Sequence, residues 1–251
     1  MRLLPIILLM LPIRLLAQAP TTYTAKGHSH NDYAGLQPFT NAYSHGFGSI
    51  EADVFLVRDT LWVGHVPGDV EQRRSLEDLY LRPLADHVQA NKGHAYPDHK
   101  QKLQLMIDIK TEAIPTLEAL IREIGRHPEL TRSTGLTWTI SGNRPPDSTY
   151  DRYPDLIRFD GDITRPYADA PLRRIPMMSA DFIRLVDWHG KAPLDPSNQE
   201  KLHSLIEQAH RQGKKVRFWN APDDPPSWAI LLSLGVDYIN TDKVAEFAGY
   251  R

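Results

Sequence analysis

The chain of 251 residues contains no cysteine. That excludes disulfides, thiolate zinc sites, a cysteine nucleophile and a lipoprotein anchor, and leaves oxygen and imidazole to hold any metal. A strong charge of either sign is also missing. The 29 Lys and Arg stand against 31 Asp and Glu, a formal net charge of −2, so there is no basic footprint for nucleic acid. With 41% hydrophobic and 24% charged residues the composition is that of a folded chain. Beyond residue 19 no apolar run is long enough to read as a transmembrane helix.

Residues 1–19, MRLLPIILLMLPIRLLAQA, have a basic start at Arg2, an apolar run from Leu3 and a small-x-small pattern at Ala17-Gln18-Ala19. This is the pattern of a signal peptide cut after Ala17 or Ala19. A membrane anchor is the other reading, but Arg14 interrupts the run. Cleavage would remove Arg2 and Arg14 and no acid, leaving 27 basic against 31 acidic residues, or −4. The expected organisation is a signal peptide, 1–19, and one domain, 20–251, with no stable membrane span after cleavage. Export without cysteine sets the expectation of a bacterial periplasmic or secreted enzyme.

Short β-like runs alternate with helix-like runs along the whole chain. Strands are expected over Tyr23–His28, Ser49–Phe55, Leu103–Lys110, Gly135–Ser141, Leu156–Asp162, Ile175–Asp181, Lys215–Asn220 and Val236–Asn240, with an extra extended piece at Thr60–His65. Helices are expected over Ser75–Ala90, capped by Ser75, and over Glu112–Ile124, Asn198–Gln212 and Pro226–Leu234, ending at Gly125, Gly213 and Gly235. Eight strands alternating with helices at this length predict a (β/α)8 TIM barrel in a single domain. A doubly wound open sheet is the alternative, but no Gly-rich phosphate loop follows the first strand.

In such a barrel chemistry gathers at the carboxyl ends of the strands. Glu51 and Asp53 are two apart on a strand and share a face with Ser49 and Phe55. Leu103, Leu105, Ile107 and Ile109 alternate with Gln104, Met106, Asp108 and Lys110, so Asp108 and Lys110 also share a face. Carboxylates turned into a barrel interior need neutralising, and a hard divalent cation on Glu51, Asp53 and Asp108 does this. A salt-bridged pair at the rim is the other account of Glu51 and Asp53. Lys110 beside a cation suits a phosphate oxygen, or pairs with the same acids. His28 and His65, at strand or turn ends, are the candidates for proton transfer near neutral pH.

Taken in order, Gly27-His28, Ser49-Ile50-Glu51-Ala52-Asp53-Val54, Val63-Gly64-His65, Asp108-Ile109-Lys110-Thr111, Val216-Arg217-Phe218-Trp219-Asn220 and Gly235-Val236-Asp237-Tyr238-Ile239-Asn240-Thr241-Asp242 resemble the PLC-like phosphodiesterase superfamily of TIM barrels. That superfamily holds the glycerophosphodiester phosphodiesterases, the phosphatidylinositol-specific phospholipase C-like enzymes and the sphingomyelinase-D-like phospholipases. The resemblance implies His28 and His65 as general acid and base. It implies one Mg2+ or Ca2+ on Glu51, Asp53 and Asp108, with Lys110 near the phosphate. Glycerophosphodiesterases usually follow the first histidine with Arg-Gly, whereas Ser29-His30 stands here. Gly27-His28-Ser29-His30-Asn31 instead matches the Gly-His-x-x-Asn of the sphingomyelinase-D-like branch. The string from His28 to Tyr33 is also similar to that of the fungal mitochondrial-inheritance-type proteins of the superfamily.

The function expected is therefore a phosphoric diester hydrolase acting on a small phosphodiester, a glycerophosphodiester or a phospholipid-derived head group. Asn31 and Trp219 are candidate substrate contacts, with Asn143, Arg144 and Asp160 behind them; Trp219 equally suits barrel packing. Two rivals stand beside this reading. His28-x-His30 also opens amidohydrolase-type and histidinol-phosphatase-type metal barrels; the expected strands at Leu156–Asp162 and Ile175–Asp181 contain no histidine, though Asp242 would fit the last ligand position. A non-catalytic barrel binding a phosphorylated ligand is the other.

Overall fold

The computed structural model describes residues 22–191 and 193–250, so the expected signal peptide lies outside the described residues. Among the described residues nine strands form: β1 (Thr24–Ser29), β2 (Phe47–Val57), β3 (Thr60–Val63), β4 (Leu103–Ile109), β5 (Leu136–Gly142), β6 (Ile157–Asp162), β7 (Met177–Asp181), β8 (Lys215–Trp219) and β9 (Tyr238–Thr241). Eight of them run parallel, and β1 pairs with both β2 and β9, which closes the barrel. This is the expected TIM barrel. The extra piece, β3, pairs antiparallel with Val54–Val57 of β2. Arg58 and Asp59 make the hairpin turn, both at positive φ, the backbone that matches strand twist in a two-residue loop. β3 thus returns the chain to the barrel mouth at His65.

Helices cover the strands. The segment expected to begin at Ser75 is wound as a wider π turn over Glu77–Leu81 before the α-helix Arg82–Ala90. Ser75 Oγ accepts from the Asp78 N–H at 3.1 Å and donates to its carboxylate at 2.6 Å. The helices Pro196–Arg211 and Pro225–Ser233 start earlier than expected. Each has proline in its first turn, where an absent N–H costs nothing, behind an aspartate cap, Asp195 or Asp224. Gly213 and Gly235 follow these helices at positive φ, as expected of caps. Gly125 differs: it is the last residue of the helix Ala113–Gly125, and Arg126 is the cap. The chain turns straight into the short helix Pro128–Arg132 there, so no left-handed residue is needed.

The period-two pattern sorts side chains between two interiors. Ile50, Ala52 and Val54 of β2 and Leu103, Leu105, Ile107 and Ile109 of β4 are buried in the main core between strands and helices. The opposite faces fill the bore, where Met106, Met177 and Tyr238 form a separate apolar cluster. A polar chain lies beside it: Thr139 Oγ1 donates to Gln104 Oε1 and Gln104 Nε2 donates to Ser49 Oγ, each at 2.9 Å. Asp53 of β2 stands in register with Asp108 of β4, and Asp108 with Ser141 of β5. Adjacent strands therefore deliver polar side chains to one level of the mouth.

Candidate active site at the strand ends

Oxygens of Glu51, Asp53 and Asp108 come within 4.8 Å of one another. Lys110 Nζ lies 2.7 Å from Asp108 Oδ2 and 2.9 Å from Asp53 Oδ2. The ion pair anticipated as one reading of Lys110 is thus formed, and both acids raise its pKa against the opposing effect of burial. Burial, together with the charges of Glu51 and Asp53, pushes Asp108 up to about 6. Its other oxygen, Oδ1, is buried without a hydrogen-bond partner. A Cβ on Gly142 would stand 1.8 Å from that oxygen, and Gly142 has φ +65°, so only glycine lets the carboxylate sit there. An orphaned carboxylate oxygen inside an all-oxygen cluster is what a hard divalent cation requires. These three acids fit one.

His28 is fully buried on β1. Its Nδ1 is 2.7 Å from Ser49 Oγ and its Nε2 is 2.6 Å from Glu51 Oε2. Gln104 donates to Ser49 Oγ from the other side, so His28 ends a polar chain that crosses the bore. Burial first, and the positive charge of Arg217 second, lower His28 to about 4, so the ring is neutral at pH 7. His65 is different. Its side chain is 60% exposed, with Nδ1 3.1 Å from Asp53 Oδ2 and 3.2 Å from the Tyr33 hydroxyl. Tyr33 is itself 2.7 Å from Asp53 Oδ2, and its hydroxyl proton is held more tightly than usual by burial and that carboxylate. The two histidines flank one carboxylate cluster, one beneath it and one at its open side.

Arg217 was not anticipated as a site residue. It comes from β8, is buried, and sets one guanidinium nitrogen 2.6 Å from both Glu51 Oε2 and His28 Nε2. Burial alone would raise Glu51, but Arg217 and then His28 hold it well below the usual carboxylate range. Three carboxylates against the two permanent cations Lys110 and Arg217 leave one net negative charge. One divalent cation would turn that to one positive charge, which matches one phosphodiester.

A cavity of about 1000 Å³ opens above this cluster. It is lined by Glu51, Asp108, Lys110 and His65, by Asn31 and Trp219, and by Asn143, Arg144 and Asp160. Trp219 is 37% exposed on the cavity wall, so it does not pack the barrel. The Asn31 amide donates to Asp242 at 3.2 Å and its oxygen lies 2.8 Å from the Tyr33 hydroxyl, which holds the side chain at the rim. His30 turns its Nδ1 to Asp242, 2.8 Å away, rather than toward His28. Asp32 points into the protein, accepting from the Phe39 N–H, from Tyr80 at 3.0 Å and from Ser29 at 3.0 Å, and so ties down the loop after β1.

Known proteins match along the same path. A family model described as AIM6-like phosphodiesterase domain covers residues 20–131, which include both histidines and all three acids. A model described as Glycerophosphoryl diester phosphodiesterase family covers residues 215–245, which include Arg217 and Trp219. Altered inheritance of mitochondria protein 6 of Eremothecium gossypii is 29% identical over 268 residues, covering 86% of this chain and 67% of the relative. The homolog of that protein in Arthroderma benhamiae is 29% identical over 261 residues, covering 89% of this chain and 82% of the relative. In fold, a glycerophosphodiester phosphodiesterase from Parabacteroides distasonis superposes with a TM-score of 0.54 at 15% identity, over 88% of this chain and 94% of that one.

The relatives correct one expectation. They are fungal, so the reading of a bacterial periplasmic or secreted protein does not stand. That reading rested on a basic, acid-free apolar leader and on the lack of cysteine, and neither property belongs to one kind of cell. The ordered motifs, the closed barrel and these likenesses support a single placement: the chain is a TIM barrel that resembles the PLC-like phosphodiesterase superfamily and, within it, the altered-inheritance-of-mitochondria proteins.

Proposed function

We propose that residues 20–251 form one catalytic domain that hydrolyses phosphoric diesters with a bound Mg2+ or Ca2+, using His28 and His65 as general acid and base. The observation that carries this is the meeting of three carboxylates, Lys110 and two histidines at the carboxyl ends of β1–β4, where Glu51, Asp108, Lys110 and His65 line one cavity and the buried Asp53 and His28 pair with Lys110 and Glu51. Glu51, Asp53 and Asp108 would hold the cation, which supplies Lewis-acid stabilisation of phosphoryl charge. Lys110, held between Asp53 and Asp108, presents a fixed positive charge to a non-bridging phosphate oxygen. Asp53 accepts from His65 Nδ1 and so turns the second ring nitrogen toward the substrate. One histidine takes a proton from the attacking oxygen, and the other returns one to the leaving alcohol. The attacking oxygen is water, or a hydroxyl next to the phosphate, which would give a cyclic phosphate first. Asn31 and Trp219 at the rim contact the substrate, a small phosphodiester or lipid head group.

His28 turns its ring nitrogens to Ser49 and Glu51 while His30 pairs with Asp242, so the two histidines do not converge, which disfavours the two-histidine metal barrel considered from the sequence. His28→Ala and His65→Ala, assayed on bis(p-nitrophenyl) phosphate with Mg2+ or Ca2+, test the assignment. Each is expected to lose at least a hundredfold in kcat. Wild-type activity in both would refute it, and tight binding of phosphodiesters without turnover by the wild type would make the chain a binding barrel instead.

A further inference from the structure

The two ends of the barrel carry opposite charge. The mouth gathers the carboxylates of Glu51, Asp53, Asp108, Asp160 and Asp181. At the floor, where the strands begin, the side chains are basic. Lys26 lies near the start of β1, Lys102 immediately precedes β4, Arg158 follows the first residue of β6 and Lys215 opens β8. They belong to alternate strands around the closed sheet, which is how this fold builds one layer of side chains. The three lysines are exposed and Arg158 is half-buried. Among the described residues none of the four pairs with an acid; Lys215 donates to the Tyr238 hydroxyl at 2.7 Å and Lys102 to the His99 carbonyl at 3.4 Å. The acids at this end are already taken, Asp155 by Arg174, Asp237 by His210 and Asp151 by Arg173. Lys92 and Lys100, exposed in the segment before β4, add to the floor's charge. The whole chain has a net charge of −2, so this excess is one of placement and not of composition.

Like charges collected without acids repel one another, and packing a barrel does not require them. A partner of opposite sign accounts for them. The charge is spread over an outer end of the barrel, while the cavity described above opens at the other end, so a broad anionic surface fits better than a small anion. Single-stranded nucleic acid binds by stacking bases on exposed rings. Among the described residues the large exposed aromatic is Trp219, at the mouth, and Tyr238 beside Lys215 is buried. Lipid headgroups need no such ring, only basic side chains within reach of their charge. The chain also enters the barrel at this end, so the apolar residues 1–19, with Arg2 and Arg14, adjoin the floor in sequence. We propose that the floor of the barrel is a docking surface for an anionic lipid membrane, seated through Lys26, Lys102, Arg158 and Lys215, with the mouth left facing solvent. Docking there is independent of the chemistry at the mouth.

Co-sedimentation of the whole protein with vesicles tests it, using phosphatidylcholine alone and phosphatidylcholine with phosphatidylserine at about two to one. The wild type is expected to bind the anionic vesicles at least about tenfold more tightly, and to lose that preference in about 0.5 M salt. Each basic side chain near such a surface contributes about fivefold in binding. Lys26→Gln combined with Lys102→Gln changes two exposed side chains, so the fold is kept, and is expected to weaken anionic binding at least about tenfold. Arg58→Gln combined with Lys191→Gln removes the same charge from the exposed loops after β2 and β7, at the mouth end, and is expected to weaken it less than about threefold. Equal binding of both vesicle types by the wild type, or an equal loss in the two double variants, overturns the proposal. Tighter binding of a single-stranded DNA oligonucleotide than of the anionic vesicles, lost in the floor variant, overturns the choice of lipid and assigns the surface to nucleic acid.

Discussion

Replacing Arg217 by methionine removes a cation from the centre of the site and keeps an unbranched side chain of similar reach. Glu51 then retains only His28 as a partner, and Asp160 loses one of its two cations. Breaking a buried ion pair by removing one member costs about 3–5 kcal/mol, because the remaining charge stays buried. For a domain of this size that is a fall in Tm of roughly 6–20 °C. The charge among the three acids, Lys110 and residue 217 goes from one net negative to two. Two signatures should follow that a simple packing defect would not produce. In wild type Glu51 is held below its ordinary pKa, so its contribution is present above about pH 4.5 and is lost as pH falls further. In the variant burial is opposed only by His28 and His30, so Glu51 rises from its wild-type position and the deficit shrinks on acidification. A divalent cation also stabilises the folded state by about 2.7 kcal/mol at a hundred times its Kd, and the more negative variant should gain more than wild type. Urea unfolding followed by tryptophan fluorescence, at pH 5 and 7.5, with chelator and with excess Mg2+ or Ca2+, measures all three. A deficit below about 1 kcal/mol in chelator at neutral pH, or one that neither acid nor cation reduces, would refute the role given to Arg217.

Three further outcomes follow from the same geometry. His28 titrates near 4 when folded and near 6.5 when unfolded, so wild type loses about 3 kcal/mol as pH falls through that window; His28→Gln should lack that loss in urea unfolding across the same pH range. Gly142→Ala forces a left-handed alanine against Asp108 Oδ1, at a cost of about 2–5 kcal/mol, and should weaken cation binding at least tenfold by isothermal titration calorimetry. Asp32→Ala leaves the Phe39 N–H, Tyr80 and Ser29 without their acceptor and should cost about 2–4 kcal/mol, with faster amide hydrogen exchange over residues 30–39.

The sequence made the barrel legible because its signals are local. Alternation in Leu103–Lys110 sets Asp108 and Lys110 on one face, and the spacing of Glu51 and Asp53 does the same on β2. Each residue expected at the cluster or its rim lies there: His28, His65, Glu51, Asp53, Asp108, Lys110, Asn31 and Trp219. What escaped notice depends on register between distant strands. Arg217 sits between Val216 and Phe218, and nothing along the chain marks it as a partner of Glu51 until β8 is placed in the barrel. The order Thr139, Gln104, Ser49, His28 crosses four strands, and no spacing along the chain signals it. Tyr33 is close to His28 in sequence, but its contact with Asp53 requires the loop that Asp32 folds. Alternation in β5–β7 did not reveal that Ser141, Asp160 and Ser179 would line one cavity, since each is an ordinary polar residue on its own strand.

Hydrolysis of bis(p-nitrophenyl) phosphate by the wild-type protein, measured after exhaustive chelation and again after adding back Mg2+ or Ca2+, tests the central claim most directly. Activity should fall at least a hundredfold on chelation and return with one equivalent of bound cation, and Asp108→Asn should abolish the return. Full activity in the chelated protein would contradict the account of Glu51, Asp53 and Asp108 as the site of the catalytic cation.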